Sequence, residues 1–144
     1  MERQERREQI LNILAAGIRK VLLNTVPKPE ELQEIRMRLG QPLRVVRGKE
    51  EIVLRSGTEP YIVTKEELRE TMDYISHYSL YAYENELRQG FVTVEGGHRV
   101  GVAGKVIMEK ERVKNIQYIS SLNIRVSHEV LGCCGSADPL YRGE

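Results

Sequence analysis

The chain has 144 residues, enough for one domain with its own core and no need of disulfides or a structural metal. Its 22 Lys and Arg offset 21 Asp and Glu, so no global field draws it to a nucleic acid or an anionic membrane, and any polyanion contact needs a local patch. No apolar run approaches the roughly 18 residues of a membrane span, and the charged opening residues are followed by no hydrophobic stretch, which predicts a soluble protein with a cytoplasmic address and no secretory signal.

Along residues 3 to 24, Ile10, Leu11, Leu14, Ile18, Val21 and Leu22 recur at spacings of three and four, the stripe of one long amphipathic helix. Pro27 and Pro29 stop it, and Pro29 suits the first position of a short helical turn. Ile35-Arg36-Met37-Arg38-Leu39 alternates with period two, and Leu43-Arg44-Val45-Val46 resumes after Gly40-Gln41-Pro42, which predicts a hairpin. Ile52 to Leu54 and Tyr61 to Val63 are further short strand candidates.

Thr64 and Glu67 have capping-box spacing, so a helix should start there and run to about His77. Ser79 offers a second cap for a helix carrying Leu80, Tyr83 and Leu87 on one face, with Gly90 placed to end it. Beyond it, Phe91 to Val94, a Glu95-Gly96-Gly97 turn, His98 to Ala103 and Lys105 to Met108 predict an antiparallel meander. A polar stretch from Glu109 to Asn115 precedes two more strands, Ile116 to Ile119 and Leu122 to Val126. The fold class is α+β: a long N-terminal helix, a small mixed or antiparallel sheet with two central helices, and a C-terminal antiparallel meander.

Motifs of chemistry are sparse. Gly96 to Lys105 invites a phosphate-loop reading, but the positions that require the first Gly and the Ser or Thr after Gly-Lys hold Arg99 and Val106. Gly96 and Gly97 instead suit a turn with positive φ, and Gly101 and Gly104 suit bulges or close packing. His77, His98 and His128 form no metal pair and predict surface or hydrogen-bonded structural roles, while the adjacent Cys133 and Cys134 predict two free thiols. No nucleophile and base show a signature, so no catalytic residue is assigned. Arg36, Arg38, Arg88, Arg99 and Arg125 lie in or beside predicted strands and turns, where a rigid backbone can aim a guanidinium fork at a phosphate; pairing with nearby carboxylates is the plainer reading.

Four segments in order carry a resemblance: Glu34-Ile35-Arg36-Met37-Arg38 with Gly40-Gln41-Pro42-Leu43; Tyr78 to Gly90, which reads YSLYAYENELRQG; Gly96 to Gly104; and Ile119-Ser120-Ser121-Leu122-Asn123-Ile124-Arg125. Together they resemble the amino-terminal region of stage III sporulation protein AA over roughly residues 30 to 140. That family resembles the ATPases of type II and type IV secretion, which join an α+β amino-terminal domain to a RecA-like motor.

The resemblance implies an N-terminal helix over 1–28, the α+β amino-terminal domain over 29–131, and a linker over 132–144 leading to a motor domain beyond this chain. It implies a non-catalytic assembly and regulatory domain of a sporulation ATPase that powers a channel complex between mother cell and forespore. ATP and Mg would belong to the parent protein, with no cofactor in this chain. Expected partners are its own motor domain, neighbouring subunits of a homo-hexamer and a membrane-anchored channel protein, in the mother-cell cytoplasm or at the membrane periphery. By the same resemblance Arg99 and Arg125, then Arg88, are candidates for sensing nucleotide phosphates. The alternative is a nucleic-acid-binding module, suggested by Arg36, Arg38, Arg44 and Arg47 with Tyr78, Tyr81 and Tyr83; helical spacing of the tyrosines and the near-zero net charge count against it, and no nucleic acid is expected.

Overall fold

The computed structural model describes residues 2–77, 80–109 and 112–128. The cap at Ser79, the cysteines Cys133 and Cys134, and the linker expected over 132–144 lie outside them.

Two helices open the chain, α1 (Glu2–Asn12) and α2 (Ala16–Thr25), where the apolar stripe predicts one. The stripe is continuous; the backbone is not. Ala15 is extended at φ −56°, ψ 146°, and other parts of the fold satisfy the freed helix ends. The Ala15 N–H donates to Thr71 Oγ1 and the Ala16 N–H to the Glu70 carboxylate, each at 3.0 Å, while Arg19 donates to the carbonyls of Leu11 and Leu14 at 2.9 Å. These bonds replace the ladder that a straight helix would keep. The bend lets Ile10, Leu14, Ile18 and Leu22 all enter one core.

After a 3₁₀ turn at Pro29–Glu31 come β1 (Glu34–Arg38), β2 (Arg44–Arg47) and β3 (Glu50–Val53), then the small pair β4 (Arg55–Ser56) and β5 (Glu59–Pro60). The predicted hairpin is β1 against β2, with Ile35 opposite Val45. The strand expected over Tyr61 to Val63 is not one. Ile62 makes a lone bridge to Pro42, while Tyr61 and Val63 exchange backbone bonds with Leu43, Leu54, Gln41 and Gly40.

Helix α3 (Lys65–Ile75) starts in the predicted capping box: the Glu67 N–H donates to Thr64 Oγ1 at 3.2 Å and the Thr64 N–H to Glu67 Oε1 at 2.9 Å. It stops two residues before His77, whose φ of 51° is left-handed and turns the chain out of the helix. A 3₁₀ turn, Leu80–Tyr83, leads to α4 (Glu84–Gln89), shorter than the predicted helix and closed by Gly90 at φ 89°.

The last three strands are β6 (Phe91–Thr93), β7 (Arg99–Glu109) and β8 (Arg112–Arg125). Four predicted strands after the Gly96-Gly97 turn thus merge into two long ones, because bulges absorb the interruptions. The register shifts between Ala103 and Gly104, Lys105 and Val106, and Ile107 and Met108, and Glu109 pairs with Arg112 within the stretch expected to be a spacer. Gly104 therefore sits at a bulge as expected, whereas Gly101 lies in regular register opposite Asn123.

One antiparallel sheet, ordered β3-β2-β1-β8-β7-β6, joins the early hairpin to the late meander through β1 and β8. The row Ile52–Val45–Ile35–Ile124–Val100–Val92 crosses all six strands and faces inward; its last five members are buried. The helices cover this side with Ile10, Ile18, Leu22, Leu68, Met72 and Ile75 in one cluster. At about 25 cal/mol per Å² of apolar burial, such a cluster is the main stabilising term. Among the described residues, no helix is long and apolar enough to cross a membrane.

Candidate functional site

Strand alternation puts every second residue on the opposite, outward side of the sheet. One outward row reads Glu51–Val46–Glu34–Arg125–Arg99–Thr93 across the six strands, and the next reads Arg44–Arg36–Asn123–Gly101–Phe91. Arg38 stands beside Arg36 on the same face. A chain with near-zero net charge thus gathers Arg36, Arg38, Arg44, Arg99 and Arg125 on one surface, against Glu34 and Glu51.

The carboxylates serve one arginine. Arg36 donates to Glu34 at 3.3 Å and to Glu51 at 2.5 Å, and its pKa is raised, first by the hydrogen bond to Glu34. This is the carboxylate pairing that the sequence suggests for strand arginines. Among the described residues no ion pair extends it to the neighbours. Arg99 and Arg125 lie directly opposite one another on β7 and β8, and Glu34, across from Arg125 on β1, is turned to Arg36 instead. Like charges placed directly opposite across strands are destabilising.

Both side chains are exposed and line a cavity of about 260 Å³ with Phe91, Gly101 and Asn123. The Arg99 guanidinium stands 5.7 Å from the centroid of the Phe91 ring, near enough for a cation–π contact that holds it over the cavity. Asn123 Oδ1 is buried there with no hydrogen-bond partner. The absent Cβ of Gly101 keeps the floor low between Asn123 and Phe91. Two guanidinium forks beside an aromatic wall suit an oxyanion attached to a larger group, while the acceptor Asn123 Oδ1 would need an N–H or O–H of that group.

Of the three sequence candidates, the fold brings Arg99 and Arg125 together and leaves Arg88 apart. Arg88 is in the last turn of α4, exposed and outside the lining of the cavity, where its charge complements the helix dipole. Phe91 and Asn123 escape sequence reading as site residues, since only the β6–β7–β8 register sets them beside the arginines.

Two of the histidines, His98 and His128, take structural places. Buried His98 accepts the Ser127 N–H at Nδ1 (2.9 Å), so its Nε2–H donates to Gln9 Oε1 (2.9 Å), and burial pushes its pKa down with help from the charge of Arg6. His128 Nε2 lies 2.9 Å from the Leu32 carbonyl. The Gly96 to Lys105 segment is a turn with Gly96 at φ 93° and Gly97 at φ 80°, followed by β7, whose first residues Arg99 to Gly101 pair with strands on both sides rather than opening a phosphate cradle.

The chain is 35% identical over 134 residues to stage III sporulation protein AA of Bacillus subtilis (strain 168), covering 92% of this chain and 41% of that protein. The chain therefore spans less than half the length of its relative. No solved structure matches it significantly. The family model described as sporulation stage III, protein AA matches residues 4–142, and the chain belongs to that family.

Proposed function

We propose that this chain is the non-catalytic assembly and regulatory domain of a sporulation ATPase, and that it presents Arg99 and Arg125 to the phosphates of a nucleotide held by another unit. The observation that carries the reading is the opposed pair itself: Arg99 and Arg125 stand directly opposite on neighbouring strands and line one cavity, and among the described residues neither forms an ion pair with a carboxylate. An incoming phosphate would relieve their repulsion and gain two charge-assisted forks. Rotation of the domain would then make or break those contacts, coupling hydrolysis to movement.

The nucleotide would be held by a RecA-like motor domain of the longer parent protein or by a neighbouring subunit of a hexamer, and a membrane-anchored channel protein would be the partner in the mother-cell cytoplasm. On this reading ATP and Mg belong to the unit that holds the nucleotide.

A nucleic-acid reading draws support from five arginines and Phe91 on one open sheet face. Two features weigh against it: Glu34 and Glu51 interrupt the basic rows, and Tyr83 packs against the core rather than presenting a stacking platform. Titration of the chain with pyrophosphate and with a single-stranded oligonucleotide, followed by NMR on the arginine side chains, separates the two. The proposal expects pyrophosphate shifts at Arg99 and Arg125 and at the Gly101 and Asn123 amides, with the amide shifts lost in Arg99→Ala/Arg125→Ala. Tight oligonucleotide binding that weakens steeply with salt, with shifts spread over Arg36, Arg38 and Arg44, would replace it with the nucleic-acid reading.

A further inference from the structure

A second cavity, of about 340 Å³, opens between α1, the end of α3 and the turn after β6, and shares no lining residue with the arginine cavity. We infer that it is a binding site for an organic cation, a primary amine or guanidinium. Its lining includes Tyr74, Tyr83, Gln9, Asn12, His77 and Glu95.

The charge pattern selects the ligand. Among the described residues, Glu95 is the one carboxylate lining it and neither Lys nor Arg does, so an anion would find no permanent countercharge from them. A cation would find a carboxylate for its charge, two phenol rings for cation–π contact and amide oxygens for its N–H groups. The volume is within the range of small-ligand sites.

The wall is also built ahead of any ligand. The Tyr74 hydroxyl donates to Glu70 at 2.9 Å, which fixes that ring. The Thr93 N–H, beside Glu95, donates to Glu86 at 2.8 Å, and the Gly97 N–H donates to the Val94 carbonyl at 3.0 Å, so the strand end and turn that carry Glu95 are anchored. His77 is the single non-glycine residue with positive φ among the described residues. Glycine would take that conformation without strain; histidine accepts the strain and places an imidazole on the cavity wall.

The test is an NMR titration of the 144-residue chain, at fixed ionic strength, with n-butylammonium, methylguanidinium, acetate and N-acetyl-lysine methylamide. The inference expects saturable shifts of the Thr93, Val94 and Glu95 amides with the cations and none with acetate. It expects Glu95→Gln, a change on an exposed turn, to weaken binding at least about tenfold while the rest of the spectrum stays in place. Saturation by n-butylammonium but not by the lysine derivative assigns a free small amine; saturation by both assigns the basic side chain of a protein partner. Absence of a saturable response to any cation, an equal response to acetate, or unchanged affinity in Glu95→Gln would overturn it.

Discussion

Gln9 and His98, 89 residues apart in sequence, are joined by a hydrogen bond of 2.9 Å that ties the first helix to the turn between β6 and β7. The same imidazole accepts the Ser127 N–H from the end of β8, so a single neutral ring locks three parts of the chain. Protonation would take away the lone pair that Ser127 needs.

That bond makes folding stability depend on pH. His98 has a pKa below its ordinary value of 6.5 in the folded protein, from burial first and then from Arg6 and His128. Below 6.5 the unfolded chain takes up the proton while the folded chain resists it. Stability is therefore fully present above 6.5 and falls as pH drops from there toward the lowered folded value. Urea unfolding at neutral and mildly acidic pH should show the loss, and His98→Gln should show a flatter profile.

Gly96→Ala should destabilise the protein by more than about 1 kcal/mol. Gly96 is at φ 93°, and a Cβ there would run into the Gln9 amide and His98 Nε2. Gly57 is the control, since it has a similar φ of 69° with open space around it; Gly57→Asn should cost much less. Thermal unfolding of the two variants provides the comparison.

Glu67 supports α3 in two ways, accepting the Thr64 N–H and the Tyr61 hydroxyl. Thr64→Ala should cost about 1 kcal/mol through loss of the cap, and Glu67→Ala should cost more because it also frees Tyr61. The Tyr61 pKa is pushed up to about 12 by burial and then by the Glu67 carboxylate. The folded state holds this proton more tightly than the unfolded chain, so the contribution is whole below pH 10 and is lost as pH rises from there through about 12. Tyrosinate absorbance should show one late-titrating tyrosine in the wild type that returns toward 10 in Glu67→Gln.

Arg125→Ala should leave stability unchanged within about 0.5 kcal/mol or raise it, because it removes a like-charge opposition at an exposed site. A pair that costs nothing to remove from the fold, yet is needed for function, would be the signature of a site rather than a strut. Denaturant midpoints of Arg99→Ala and Arg125→Ala measure this.

How much of this was legible depends on how local each signal is. The Thr64–Glu67 box, the β1–β2 hairpin and the Gly90 terminator are set by residues within a few positions, and all appear as read. The break at Ala15 is invisible in sequence because its caps come from Thr71 and Glu70 on another helix. The long strands β7 and β8 read as four because bulges disturb the period-two pattern without ending the pairing. The resemblance puts Arg99 and Arg125 ahead of Arg88, but their meeting across one cavity, with Phe91 and Asn123 beside them, follows from β6–β7–β8 register.

The central claim is that this domain supplies phosphate-contacting arginines to a motor that it does not itself contain. ATP turnover should be measured on the 144-residue chain, on the same gene extended through the expected motor domain, and on the extended protein carrying Arg99→Ala or Arg125→Ala. The account predicts turnover in the extended protein alone, with kcat lowered at least about tenfold by either substitution, in line with arginines that stabilise a transferring phosphoryl group. Hydrolysis by the 144-residue chain, or an unchanged kcat in both variants, would contradict it.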